Sequence, residues 1–242
     1  MNAMPSDTLP AALLQETVLA LVAFAAVGFA IPDALKCCTK SVQQRNTVRF
    51  TATALLLAGL VGGAITLLAW LFASGGTMAC FASTALSSTA DLMENLLLLL
   101  GICLLTGLYE ESFMRALGIE AFERALDTKR AILASAALFA LLHVGAPDVS
   151  AGQLVLLQTA LKFGQALLFG VILGALYVRT RRLWPCAFIH AGFDVLYMAP
   201  NVLLTGTMPE TYASGAVGDT VLLAVSVLML SGIVLKIRKE IA

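Results

Sequence analysis

Two adjacent carboxylates, Glu110 and Glu111, stand at the end of an apolar run, LLLLLGICLLTGLYEESFMR, over residues 96–115. The only two histidines, His143 and His190, lie in later apolar segments, and Asp194 follows the second by four residues. A charged carboxylate at the centre of a membrane helix costs roughly 2.5–3.5 kcal/mol on insertion scales, so an acid in such a run is a functional hypothesis by default. Glu and His sharing a wet pocket can hydrolyse an amide. The carboxylate takes a proton from water as the water attacks a carbonyl, and an imidazole orients that water or shares the proton. A second imidazole donating to the developing oxyanion supplies electrostatic stabilisation. Burial favours the neutral form of a carboxylic acid and moves its titration toward neutrality, where a general base works best. A rival arrangement uses Glu110, His143 and His190 as ligands to a zinc ion that activates the water. Two His and one Glu suit either chemistry.

Spacing indicates how these groups reach one place. Glu111 and Arg115, Phe139 and His143, and His190 and Asp194 are each four residues apart, so each pair shares a helix face. The helices themselves follow from composition. Of 242 residues 60% are hydrophobic and 12% charged, with a mean hydropathy of +0.91, against roughly 45–50% apolar in a soluble domain. The reading is an all-α, polytopic membrane helix bundle forming one domain over 1–242. Net charge is zero, which gives no basis for a nucleic-acid partner. The five cysteines include no CxxC pair, so neither a disulfide framework nor a structural zinc knot is expected. Cys37 and Cys38 read as small apolar residues rather than acylation sites. Residues 1–16 lack the basic region of a signal peptide, so insertion is expected to begin with the first span.

Apolar windows of about 20 residues, the length that crosses ~30 Å of hydrocarbon, predict seven spans near 13–31, 50–73, 92–109, 131–144, 154–178, 185–204 and 220–235. The basic residues test that count. Lys36, Lys40, Arg45 and Arg49 fall between spans one and two, and Arg115, Arg124, Lys129 and Arg130 between three and four. Arg179, Arg181 and Arg182 fall between five and six, and Lys236, Arg238 and Lys239 after seven. Seven crossings put all of these on one side, so the positive-inside rule sets the N-terminus outside and the C-terminus inside. Only Lys162 is left, within span five, where it either snorkels outward or neutralises an internal acid such as Asp194. Gly170 and Gly174 form a small-xxx-small packing face. Mixed charges over 118–130 suit a short cytoplasmic amphipathic helix. The stretches 74–91 and 200–218 read as external, the second irregular. Tyr109 and Trp184 fit the aromatic belt at the cytoplasmic interface. Depth imposes one tension: His143 is 13 residues after Arg130, about 20 Å of helix, so span four must tilt or overhang to bring it level with Glu110.

In order, Glu110-Glu111-xxx-Arg115, Phe139-xxx-His143 and His190-xxx-Asp194 resemble the EExxxR, FxxxH and HxxxD motifs of the CPBP family of intramembrane proteases. That family contains the CAAX prenyl endopeptidases and bacterial homologues associated with bacteriocin self-immunity and peptide processing. The resemblance covers residues 96–201 and marks 92–201, spans three to six, as the catalytic core. It implies that Glu110 activates the water with His143 assisting, and that His190 with Asp194 faces the oxyanion. It implies that Glu111 and Arg115 form a structural ion pair, while Phe139 shapes the pocket by packing. An ionised Asp194 only accepts hydrogen bonds, so it orients His190 or serves a metal. The cofactor is thus none or Zn. The expected activity is endopeptidase cleavage near the cytoplasmic face of a multi-pass protein of the bacterial inner membrane. The expected partners are a peptide or lipid-modified peptide substrate and membrane lipids. The alternatives are a non-catalytic immunity or scaffold protein of the same fold, and a proton or metal transporter using Glu and His as relays.

Overall fold

In hydrocarbon a backbone must satisfy its own polar groups, which leaves the α-helix for runs such as these. The computed structural model describes residues 9–36, 41–73, 89–144, 150, 152–205 and 213–241, and among them every regular element is helical. The helices are α1 (Leu9–Ala30), α2 (Val42–Ala73), α3 (Thr89–Glu111), α4 (Thr128–Val144), α5 (Gln153–Thr180), α6 (Leu183–Thr205) and α7 (Val217–Ile241). They coincide with the seven expected spans. Six are long and apolar enough to cross a membrane, whereas α4, with 17 residues, falls short among the described residues. Large apolar side chains point outward, Phe29 at 94% exposure and Leu228 at 72%, a surface suited to lipid. Of the expected external segment 74–91, residues 74–88 lie outside the described residues, as do Cys37, Cys38 and Cys80, and residues 89–91 belong to the first turn of α3; Cys103 and Cys186 are buried free thiols.

Local sequence sets the helix starts. Ser41 and Gln44 cap α2 reciprocally, Gln44 N–H donating to Ser41 Oγ at 3.1 Å and Ser41 N–H to Gln44 Oε1 at 3.2 Å, a capping box. Asp127 accepts from the Arg130 N–H at 3.0 Å and so caps α4. Pro185 sits in the first turn of α6, where a missing N–H costs nothing.

The segment after α3 differs from the expected separate amphipathic helix. Helix α3 widens into a π-helical stretch, Ser112–Ile119, and returns to α over Glu120–Phe122 before a turn leads to α4. The charges of this region pair across the bundle instead. Arg181, left-handed at the end of α5 with φ 48°, donates to Glu120 at 2.7 Å and to both oxygens of Glu123 at 2.7 and 2.9 Å. Those bonds hold the Glu123 carboxyl below the usual carboxylate range. Nearby, Trp184 Nε1 donates to the Leu35 carbonyl at 2.7 Å, Gln44 to the Arg179 carbonyl at 3.1 Å, and Lys236 lies 4.6 Å over the Phe50 ring. One end of the bundle therefore gathers the basic stretches, as the charge bias requires.

Close helix contact depends on small residues. A Cβ on Gly107 would lie 2.6 Å from the Ala187 carbonyl oxygen, so α3 and α6 approach only because position 107 has no side chain. Similarly Gly170 meets Ala136 and Gly174 meets Ile132, which makes this pair the face of α5 that packs on α4. These contacts bring α4, α5 and α6 around the end of α3.

Candidate active site

Glu110 and Glu111 sit where α3 gives way to the π-helical stretch, and single π turns inside helices occur frequently at functional sites. The wider turn is tied to α4 by Ser135 Oγ, which donates to the Met114 carbonyl at 2.5 Å. The two acids point to different partners. Glu111, fully buried, has Oε1 2.8 Å from His190 Nδ1 and Oε2 3.0 Å from Arg115 Nε. Arg115 is also fully buried and lies 4.5 Å over the Phe139 ring. Glu110, 15% exposed, directs Oε2 to His190 Nε2 at 3.5 Å and to His143 Nε2 at 4.0 Å. That oxygen is buried and has no hydrogen-bond partner among the described residues.

Hydrogen bonding fixes one ring and restrains the other. His143 Nδ1 is 2.9 Å from the Phe139 carbonyl oxygen. Because a carbonyl only accepts, Nδ1 carries a proton, and in the neutral form of the ring Nε2 turns its lone pair toward Glu110. His190 is held through Nδ1 by Glu111, and its Nε2 also lies 3.4 Å from Asp194 Oδ2. Phe139 packs tilted against His143 at 4.2 Å centroid distance and Phe169 lies edge-on to His190 at 4.8 Å. Both imidazoles are thus locked by packing as well as by hydrogen bonds.

Two cavities flank this cluster. One, of about 140 Å³, is lined by Tyr109, Glu110, Met114, Phe139, Leu142 and His143. The other, of about 40 Å³, is lined by residues including His143, Lys162, Gln165, His190 and Asp194. Phe139 and His143 line both. At roughly 10–15 Å³ per water-sized probe, the smaller holds a few waters and not a peptide residue.

The structure places every site residue named from the sequence around one point: Glu110, His143, His190 and Asp194 converge, with Glu111, Arg115 and Phe139 behind them. Glu111 does more than pair with Arg115, because it also orients His190. The depth tension resolves through α3, which runs 12 residues beyond Glu110 to Phe122 before the chain turns back into α4. His190 stands seven residues, about 10 Å of helix, beyond the start of α6 at Leu183. Lys162 does not snorkel away: it lines the smaller cavity and donates to Gln165 Oε1 at 3.1 Å. Glu16 was missed by the motif reading. It lies on α1 with one buried carboxylate oxygen lacking a hydrogen-bond partner among the described residues, and it bonds Thr106 on α3. The signal was present, an acid inside an apolar span, but it belongs to no motif.

Among the described residues no group of three or more His, Cys, Asp and Glu side chains could hold a metal ion.

No match appears among curated proteins or solved structures. A family model described as Rce1-like, type II CAAX prenyl endopeptidase Rce1-like, matches residues 91–196, a stretch that holds every member of the cluster. The CPBP resemblance of the three motifs and this match agree: the site-bearing region of the chain, residues 91–196, is similar to the Rce1-like CAAX prenyl endopeptidases.

Proposed function

We propose that this protein is an intramembrane endopeptidase in which Glu110 activates the attacking water without a metal. The observation that carries the proposal is the convergence of one otherwise unbonded carboxylate oxygen, Glu110 Oε2, with the Nε2 atoms of both histidines within 4.0 Å. A water between Glu110 and His143 meets two acceptors, the carboxylate and the Nε2 lone pair, so its oxygen is left free to attack a carbonyl. The proton passes to Glu110 and then to the leaving amine as the C–N bond breaks. His190, aimed by Glu111, polarises the carbonyl oxygen. Phe139, Phe169 and Phe193 around the rings exclude bulk water, which strengthens each of these interactions.

The substrate is a peptide or lipid-modified peptide. Its support is the family description, which names prenyl endopeptidases, and a site buried among helices whose outer faces suit lipid. Helices α3 and α4 line the larger cavity together through Tyr109, Glu110, Met114, Leu142 and His143. Leu142 is 65% exposed, so that cavity borders the lipid-facing surface. We place the protein in the bacterial inner membrane.

Purified wild-type protein incubated with a pool of internally quenched peptides, with and without a farnesylated cysteine, is expected to release defined fragments by mass spectrometry. Cleavage is expected to persist after treatment with 1,10-phenanthroline. Wild-type protein that cleaves neither set ends the proposal; activity lost to the chelator and restored by zinc ends its metal-free form.

A further inference from the structure

We infer that Lys162 is a further catalytic residue, whose ammonium donates to the oxyanion of the tetrahedral intermediate. The inference rests on the proposed hydrolysis and adds a group that the three motifs do not contain.

The need for such a donor follows from how the other groups are used. A tetrahedral oxyanion requires N–H or O–H donors aimed at it. Glu110 and an ionised Asp194 only accept. His143 uses Nδ1 on the Phe139 carbonyl, and its Nε2 faces Glu110. His190 uses Nδ1 on Glu111, which leaves Nε2, 3.5 Å from Glu110 and 3.4 Å from Asp194, as the single imidazole donor for the oxyanion. Gln165 directs one amide N–H to Tyr197 Oη at 3.0 Å and accepts from Lys162 through Oε1, and its second N–H is a neutral donor, weaker toward an anion than an ammonium. Of the groups lining the small cavity, Lys162 is the ammonium. It carries three N–H donors on a four-carbon stem that can swing.

Its placement fits the task. Lys162 is on α5, so its side chain approaches the cavity from a different helix than the base on α3 and the imidazoles on α4 and α6. Gln165, braced by Tyr197, anchors the ammonium at 3.1 Å. A cavity of about 40 Å³ accommodates a carbonyl oxygen together with a water, beside a larger cavity that shares Phe139 and His143 with it. A peptide lying in the larger cavity can therefore turn its scissile oxygen past His143 toward Lys162.

In the step itself, the water oxygen forms a bond to the carbonyl carbon while the C=O π pair moves onto oxygen, and Glu110 takes one water proton. Lys162 and His190 then face the new O⁻. On collapse that pair re-forms C=O, the C–N bond breaks, and the proton held by Glu110 passes to the amine. The products are a carboxylic acid and an amine, which become carboxylate and ammonium when the acid's remaining proton passes to the amine, with no other reactant. Lys162 keeps its proton throughout.

The test compares Lys162→Met with wild type on a peptide that the wild-type protein cleaves. Alongside it are two inhibitors built on that peptide's sequence: a phosphinic analogue carrying a tetrahedral anion, and an uncharged ketomethylene analogue. Loss of one oxyanion donor is worth about 10²–10³ in kcat. The expected result is that loss with KM within threefold, a matching loss of affinity for the phosphinic peptide, unchanged affinity for the ketomethylene, and partial rescue of Lys162→Ala by ethylamine. A lysine that only neutralises Asp194 has no reason to distinguish the two inhibitors. Lys162→Met activity within threefold of wild type, or a kcat loss with phosphinic affinity unchanged, overturns the inference. So does a fall in unfolding midpoint that accounts for the activity loss in both Lys162→Met and Lys162→Gln. Glu110→Gln separates the two levels: if it is inactive while Lys162→Met is not, this inference fails and the proposed function stands. Wild-type protein that cleaves no peptide overturns both.

Discussion

Neutralising the two neighbouring acids one at a time should separate catalysis from folding. In Glu111→Gln the buried carboxylate that sits 2.8 Å from His190 Nδ1 and 3.0 Å from Arg115 Nε loses its charge. Arg115, fully buried, is then left as a cation that faces the Phe139 ring at 4.5 Å and has no other ion pair among the described residues. Removing one partner of a buried ion pair costs about 3–5 kcal/mol. At roughly 2–4 °C per kcal/mol for a chain of this size, the unfolding midpoint should fall by at least about 6 °C. Glu110→Gln is the control. Its Oε2 has no hydrogen-bond partner among the described residues, so removing its charge breaks no short pair and should leave the midpoint within about 2 °C. The assay is thermal unfolding in detergent followed by tryptophan fluorescence, with peptide cleavage measured on the same samples. Glu110→Gln should be stable and inactive; Glu111→Gln should be unstable, with activity reduced by about 10–100-fold from the loss of one charge-assisted bond to His190. If both variants lose stability equally, or if Glu111→Gln melts with wild type, the division of labour argued from these distances is wrong.

Other perturbations probe the scaffold. Gly107→Leu puts a side chain where even a Cβ would lie 2.6 Å from the Ala187 carbonyl oxygen, so it should cost about 1–3 kcal/mol by overpacking and lower kcat by separating Glu110 from His190; Gly164→Ala, whose Cβ would meet only Val227 at 3.8 Å, should leave both unchanged. Glu123 has its pKa depressed by Arg181, so the stabilisation it contributes is complete above its unfolded value of about 4.3 and is lost as pH falls through the lower, folded value. Arg181→Met should therefore melt lower than wild type at pH 7, with the gap narrowing below about pH 4, as read from unfolding midpoints across pH. Ser135→Ala, which removes the 2.5 Å bond to the Met114 carbonyl, should destabilise by about 0.5–1.5 kcal/mol and slow cleavage by loosening the turn after Glu111, checked by the same two assays.

Much of this architecture was legible in residue order. The seven helices follow from apolar length, and their common basic end follows from where Lys and Arg fall, because bilayer thickness and charge leave few other arrangements. Four-residue spacings placed Glu111 with Arg115 and His190 with Asp194, since those contacts lie within one helix. Contacts between helices were not readable in the same way. That Glu111 holds His190 depends on Gly107 letting α3 settle against α6, and one glycine among nineteen carries no mark of that duty. The π-helical stretch after Glu111 likewise has no sequence signature here, yet it extends α3 to Phe122 and so removes the depth mismatch of His143. Lys162 was visible as the one basic residue inside a span, but its direction was not, because snorkelling and pairing use the same side chain. Glu120 and Glu123 were read as one face of a separate helix when their partner, Arg181, is about sixty residues away.

The central claim, that Glu110 is the group that activates water, is tested most directly by the cleavage rate of Glu110→Gln in the purified, folded protein. The account predicts a loss of at least about a thousandfold relative to wild type, roughly 4 kcal/mol of transition-state stabilisation, with an unchanged unfolding midpoint and fragments absent by mass spectrometry. Activity within tenfold of wild type would contradict it.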